Sequence, residues 1–167
     1  MGWVWLLFSL PFCIAIAVQD FKSRMVSIGL IAGLAFLLLA ERLMAVGNIW
    51  PNIIINSLVV LLMFFLLSAY SLFRFKTINI TKNMIGLGDW ALMLAFIPTL
   101  ACMPYLFFLV SGFLTGLIYV VLAGKTKKVH QRTVPLAGML CLWYPLFMTI
   151  LNLWGSDLDG LVPWFNI

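Results

Sequence analysis

Six long apolar stretches, separated by short polar connectors, constrain this chain more than any other feature. They fall at about 2–19, 26–46, 52–73, 84–100, 104–123 and 134–154. Each is near the roughly 20 residues that carry a helix across a bilayer. Only 9% of residues are charged, where a soluble domain would carry about 25%. The mean hydropathy is +1.15. These features exclude an ordinary soluble domain. They predict an all-α polytopic membrane protein, one bundle of about six transmembrane helices filling residues 1–167, with the lipid bilayer as its surroundings. The second stretch is the least clean, because Glu41 and Arg42 interrupt it. They are expected to pair or to snorkel to the interface.

The basic residues set an orientation. Lys22 and Arg24, then Arg74, Lys76 and Lys82, then Lys125, Lys127, Lys128 and Arg132 fall on one side, and only Arg42 on the other. By the positive-inside rule the first group is cytoplasmic, which predicts both termini outside the cytoplasm. Trp3, Trp5, Trp50, Trp154 and Trp164 then gather at the outer interface, as an aromatic belt would. The tail from Gly155, with Asp157 and Asp159, is expected near the outer surface. The net charge of +5 is accounted for by topology and anionic lipid, so nucleic acid is not an expected partner. Ala15-Ile16-Ala17 has the form of a signal-peptide cleavage site, but no Lys or Arg precedes it. The first stretch is therefore read as a retained span.

Two acidic residues stand where a membrane span tolerates them poorly. Asp20 closes the first stretch, and Asp89 ends Gly86-Leu87-Gly88-Asp89 at the entrance of the fourth. An ionisable residue at such a depth points to function. The predicted topology puts both at the cytoplasmic face. With the fourth helix starting near Met84, Asp89 would sit roughly 7–8 Å along it. Two carboxylates at one depth suggest a pair that shares a proton and activates water. Gly86 and Gly88 loosen the span entrance and would let a peptide backbone pass close to the acid. Close helix packing is the structural alternative for these glycines, and pairing with Lys22 or Arg24 is the alternative for Asp20.

Other features say less. Cys13, Cys102 and Cys141 all lie in apolar stretches, and no two are spaced as Cys-x-x-Cys. They read as small buried hydrophobes and predict no zinc site or disulfide framework. Gly29-x-x-x-Gly33 and Gly112-x-x-x-Gly116 read as helix-packing faces, within one chain or between copies in a homo-oligomer. Asn79-Ile80-Thr81 is a formal glycosylation sequon on the expected cytoplasmic side. His130, the sole histidine, reads as a solvated loop residue. Thr133-Val134-Pro135-Leu136-Ala137-Gly138 opens the sixth stretch, with proline where a first helical turn accepts it and where it would border the same cleft.

Taken together, these residues resemble the prepilin peptidases, membrane aspartyl proteases of the Gly-x-Gly-Asp type. Asp20-Phe21-Lys22-Ser23-Arg24-Met25-Val26 resembles the family's first-aspartate block, and Gly86-Leu87-Gly88-Asp89 its second. Lys125 through Gly138 resembles its basic loop and the proline-containing entrance of its last span. Two positions depart from the family's pattern. Ser27-Ile28 stands where Pro-Asn is usual, and Trp90-Ala91-Leu92 follows the second aspartate where a lysine is frequent. The cysteine-bearing cytoplasmic segment of the longer members is missing, so the chain resembles the short, peptidase-only form.

The resemblance implies catalytic Asp20 and Asp89, a substrate contact at Gly86 and Gly88, no metal or other cofactor, and a plasma-membrane location. The implied substrate is a prepilin-like membrane protein with a basic leader and an apolar helix. One carboxylate would act as general base toward water while the other, protonated, would polarise the scissile carbonyl. A coupled pair does not reveal which is which. Beside a non-catalytic membrane scaffold, whose acids would serve only packing or topology, two other readings compete. One is an intramembrane protease of the signal-peptide-peptidase type, against which stands Gln19 before Asp20 in place of a mid-span Tyr-Asp. The other is a small proton-coupled transporter using the acids as a relay, which broken helices and an internal repeat would favour.

Overall fold

The computed structural model describes residues 2–45, 49–75, 86–124 and 135–158. Among them are six helices and no strand: α1 (Gly2–Ser23), α2 (Ile28–Ala45), α3 (Trp50–Phe75), α4 (Leu87–Phe96), α5 (Cys102–Gly124) and α6 (Leu136–Leu158). Several expectations fall on residues outside the described ones. These are Lys76 and Lys82, the 79–81 sequon, residues 84–85, the basic loop with His130 and Arg132, Thr133-Val134, and the 159–167 tail with Asp159 and Trp164.

Five of the six helices are long and apolar enough to cross a membrane. Their outer faces carry large hydrophobic side chains in the open, among them Phe36, Leu61, Phe65, Phe107 and Leu117. In water such a surface would be untenable. In lipid it needs no covering, and the chain is a helical polytopic membrane bundle. Association in lipid then rests on close packing and buried hydrogen bonds. The glycines show this. A Cβ at Gly33 would come 2.6 Å from the ring of Phe12, and one at Gly112 would come 2.5 Å from Leu140. Gly33 thus seats α2 on α1, and Gly112 seats α5 on α6. Both packing faces are used within the chain at these two positions.

The chain's first and last described helices are neighbours. α1 lies against α6 and α2, α6 also against α5, and α2 against α4. α4 is the most enclosed element, with Trp90, Leu92, Met93, Ala95 and Phe96 all buried. Phe96 stacks on Tyr144 at 4.8 Å between ring centroids and meets Phe108 edge-on at 5.0 Å. The Tyr105 hydroxyl donates to the Met93 carbonyl at 3.0 Å. These contacts join α4, α5 and α6 around one aromatic centre.

Within the expected fourth span, 84–100, the described helix is short. The helix runs only from Leu87 to Phe96, about 15 Å at 1.5 Å per residue, half of the roughly 30 Å hydrocarbon core. Pro98 stands at this end: it has no N–H to continue the ladder and its ring crowds the carbonyl of the preceding turn, although Pro11 and Pro145 are carried inside α1 and α6. The chain tightens, with Ile97 N–H donating to Leu94 O and Thr99 N–H to Phe96 O, each at 3.2 Å. Backbone freed at membrane depth must find partners inside the protein. Asn56 of α3, fully buried, supplies them: its Nδ2 donates to Ile97 O at 2.9 Å and to Leu100 O at 2.8 Å. Among the described residues the bundle therefore has five long helices and one short helix, Leu87–Phe96.

Candidate active site

The site is built at one end of the bundle from three helix termini. The first is the end of α1, which runs four residues past the expected boundary, so Asp20 lies in its last turn. The stop is set by Arg24, whose φ of 56° is left-handed and whose N–H donates to Asp20 O at 3.0 Å. This is the αL ending of a helix made by a residue other than glycine. The connector then folds back on α1. Ser27 N–H donates to Gln19 Oε1 at 2.9 Å, and the Ser27 carbonyl starts α2 by accepting from Leu30 and Ile31. The Arg24 side chain is close enough for its charge to act on Asp20.

The second terminus is the start of α4. Gly86 is its N-cap, in extended conformation, so Asp89 is the third helical residue. It stands about 4.5 Å along the axis from the cap, shallower than the 7–8 Å expected from a start at Met84. Asp89 Oδ2 accepts from Gly86 N–H at 3.0 Å, half of a capping box whose other half a glycine cannot supply. The acid and its glycine are thus a local unit. A Cβ at Gly86 would stand 3.3 Å from Asp89 Oδ2, whereas one at Gly88 would meet Val26 at an ordinary 3.6 Å. Gly88 therefore lies against the connector between α1 and α2.

The third terminus is the start of α6. Its first N–H groups have no partners in their own helix, and Pro135 at the cap position offers no side-chain acceptor. The acids take that place. Gly138 N–H donates to Asp20 Oδ2 at 2.7 Å, and the Ala137 amide faces the carboxylate of Asp89. Two consecutive backbone amides thus meet two carboxylates from two other helices, which lie near enough for their charges to interact. Asp20 is 6% exposed and Asp89 half-buried. All four residues singled out in the sequence, Asp20, Gly86, Gly88 and Asp89, fall at this end of the bundle.

Gly138 was not among them. A Cβ there would come 3.2 Å from Asp20 Oδ2 and 3.1 Å from the Phe21 ring, and Phe21 is braced edge-on by Tyr119 of α5 at 5.8 Å. The signal was a glycine three residues after a proline at a span entrance, but its partner lies 118 residues away. Behind the acids, Cys13 of α1 and Cys141 of α6 are buried side by side. Among the described residues no three His, Cys, Asp or Glu side chains are grouped as a metal site needs.

Comparison of the chain with family models, with curated proteins and with solved structures gives no match. Any functional reading therefore rests on the residues and their arrangement.

Proposed function

We propose that this chain is a membrane-embedded aspartyl endopeptidase that removes the basic leader of pilin-like precursors at the cytoplasmic face of the plasma membrane. The observation that carries the reading is the convergence of Asp20 and Asp89, from opposite ends of the first ninety residues, on adjacent amides of α6. Carboxylates whose charges interact resist double ionisation, and such a pair shares a proton. One removes a proton from water as its oxygen attacks the scissile carbonyl carbon. The other protonates the departing amide nitrogen as the C–N bond breaks. A precursor with a basic leader and an apolar helix presents its junction at this depth, where Gly86 is exposed. The likeness of three sequence blocks to the prepilin peptidases supports the same reading.

The test is co-expression with such a precursor. Asp20→Asn and Asp89→Asn should each leave the leader attached while the protein accumulates in the membrane. Full processing by either variant refutes the proposal.

One observation favours a second reading. α4 is a broken, half-length helix, the feature expected of a proton-coupled transporter. Proteoliposomes loaded with a pH-sensitive dye separate the two. Proton flux that needs both acids, without precursor cleavage, would select the transporter.

A further inference from the structure

Backbone amides grip the acids, and that grip reaches across most of the chain. The Gly138–Asp20 bond at 2.7 Å is buried and joins the last turn of α1 to the first turn of α6. Glycine leaves that approach open, whereas a Cβ would press at 3.2 Å on the accepting oxygen and at 3.1 Å on Phe21. Phe21 cannot yield freely, being held against Tyr119. α1 cannot slide either, since its end is fixed by the left-handed Arg24 and by the Ser27–Gln19 bond.

We propose that Gly138 is a positioning residue for the reaction: its N–H fixes the Asp20 carboxylate in the orientation in which the two acids work together. The kinetic part of this inference rests on the peptidase reading; the contact itself does not. Gly138→Ala places a methyl 3.2 Å from Asp20 Oδ2, tight enough to turn the carboxylate while leaving the helices in place. Misplacing a catalytic group by about 1 Å can cost a hundredfold in rate. Gly138→Ala moves Asp20 by less, so a loss of about tenfold in kcat is expected, with KM for the precursor unchanged. Gly138→Val should lose more.

Two readouts keep a fold defect apart from a positioning effect. The first is kinetic. A fall in kcat at unchanged KM and unchanged thermal stability in detergent supports the proposal, and wild-type kcat in Gly138→Ala overturns it. The second needs no activity. Labelling alanine with carbonyl carbon-13 and glycine with nitrogen-15 selects the amides of Gly33, Gly124 and Gly138 alone, because only these follow alanine. The Gly138 amide proton should titrate with pH in the wild type and stay flat in Asp20→Asn. A Gly138 amide that ignores Asp20 overturns the proposal whether or not the protein cleaves anything. If the amide follows Asp20 in a protein that cleaves no precursor, the contact stands and the peptidase reading alone falls.

Discussion

Replacing Asn56 tests the structure at the end of α4, where backbone carbonyls depend on a side chain of α3. Asn56→Leu keeps the side-chain volume and removes both bonds to the carbonyls of Ile97 and Leu100. No water reaches the site, since Asn56 is fully buried. Each bare carbonyl costs about 1–3 kcal/mol in a protein interior, whereas hydrogen bonds between membrane helices average about 0.6 kcal/mol when measured by double-mutant cycles. Two such bonds bracket the loss between about 1 and 6 kcal/mol, and relaxation of the turn places it near 2–3 kcal/mol. Reversible unfolding in mixed micelles measures it. Ser68→Ala serves as the control, because its exposed hydroxyl serves only the Phe64 carbonyl of its own helix. Amide exchange should quicken at residues 99–101 and not in α1. A change below about 0.5 kcal/mol in Asn56→Leu, within the range of ordinary surface substitutions, would show that the break in α4 does not depend on α3.

Three further outcomes are expected. Gly112→Val drives a side chain into Leu140, 2.5 Å from the added Cβ, and should lower the detergent melting temperature without changing oligomeric state; dissociation of a dimer at unchanged stability would contradict the packing described. Cys13 and Cys141 should be joined in membranes by a permeable copper–phenanthroline oxidant, leaving Cys102 free for maleimide labelling, and failure to cross-link would contradict the apposition of α1 and α6. Gly88→Ala should retain activity and gain about 1 kcal/mol in helix preference, because the methyl meets Val26 at ordinary contact distance. Gly86→Ala, pressed on Asp89 Oδ2, should be the more damaging, and the reverse ranking of the two would refute the assigned packing.

The apolar stretches were legible because length and hydropathy speak directly of lipid, and α2, α3, α5 and α6 begin and end close to where those stretches do. The acids were legible because a carboxylate at a span end is rare enough to stand out. The end of the fourth helix at Phe96 was not legible, because an apolar run hides such an end when only its hydropathy is weighed. Asn56 was likewise visible as a polar residue in an apolar run, but nothing local says which carbonyls it serves. The grip of Gly138 on Asp20 and the meeting of Cys13 with Cys141 join residues more than a hundred positions apart. Such pairings are decided by which helices pack together, and helix order in space is not written in any one segment.

The bond between Gly138 and Asp20 also sets an order of events during synthesis. Asp20 is made 118 residues before its partner amide, and at about 5–20 residues per second the wait is about 6–24 s. Throughout that interval α1, α2 and α4 can enter the membrane, yet the acids lack the helix end that brings them to heel. A chain halted before α6 carries both carboxylates and no assembled centre. The catalytic arrangement proposed here would therefore arm itself only when α6 is in place, after the other described helices.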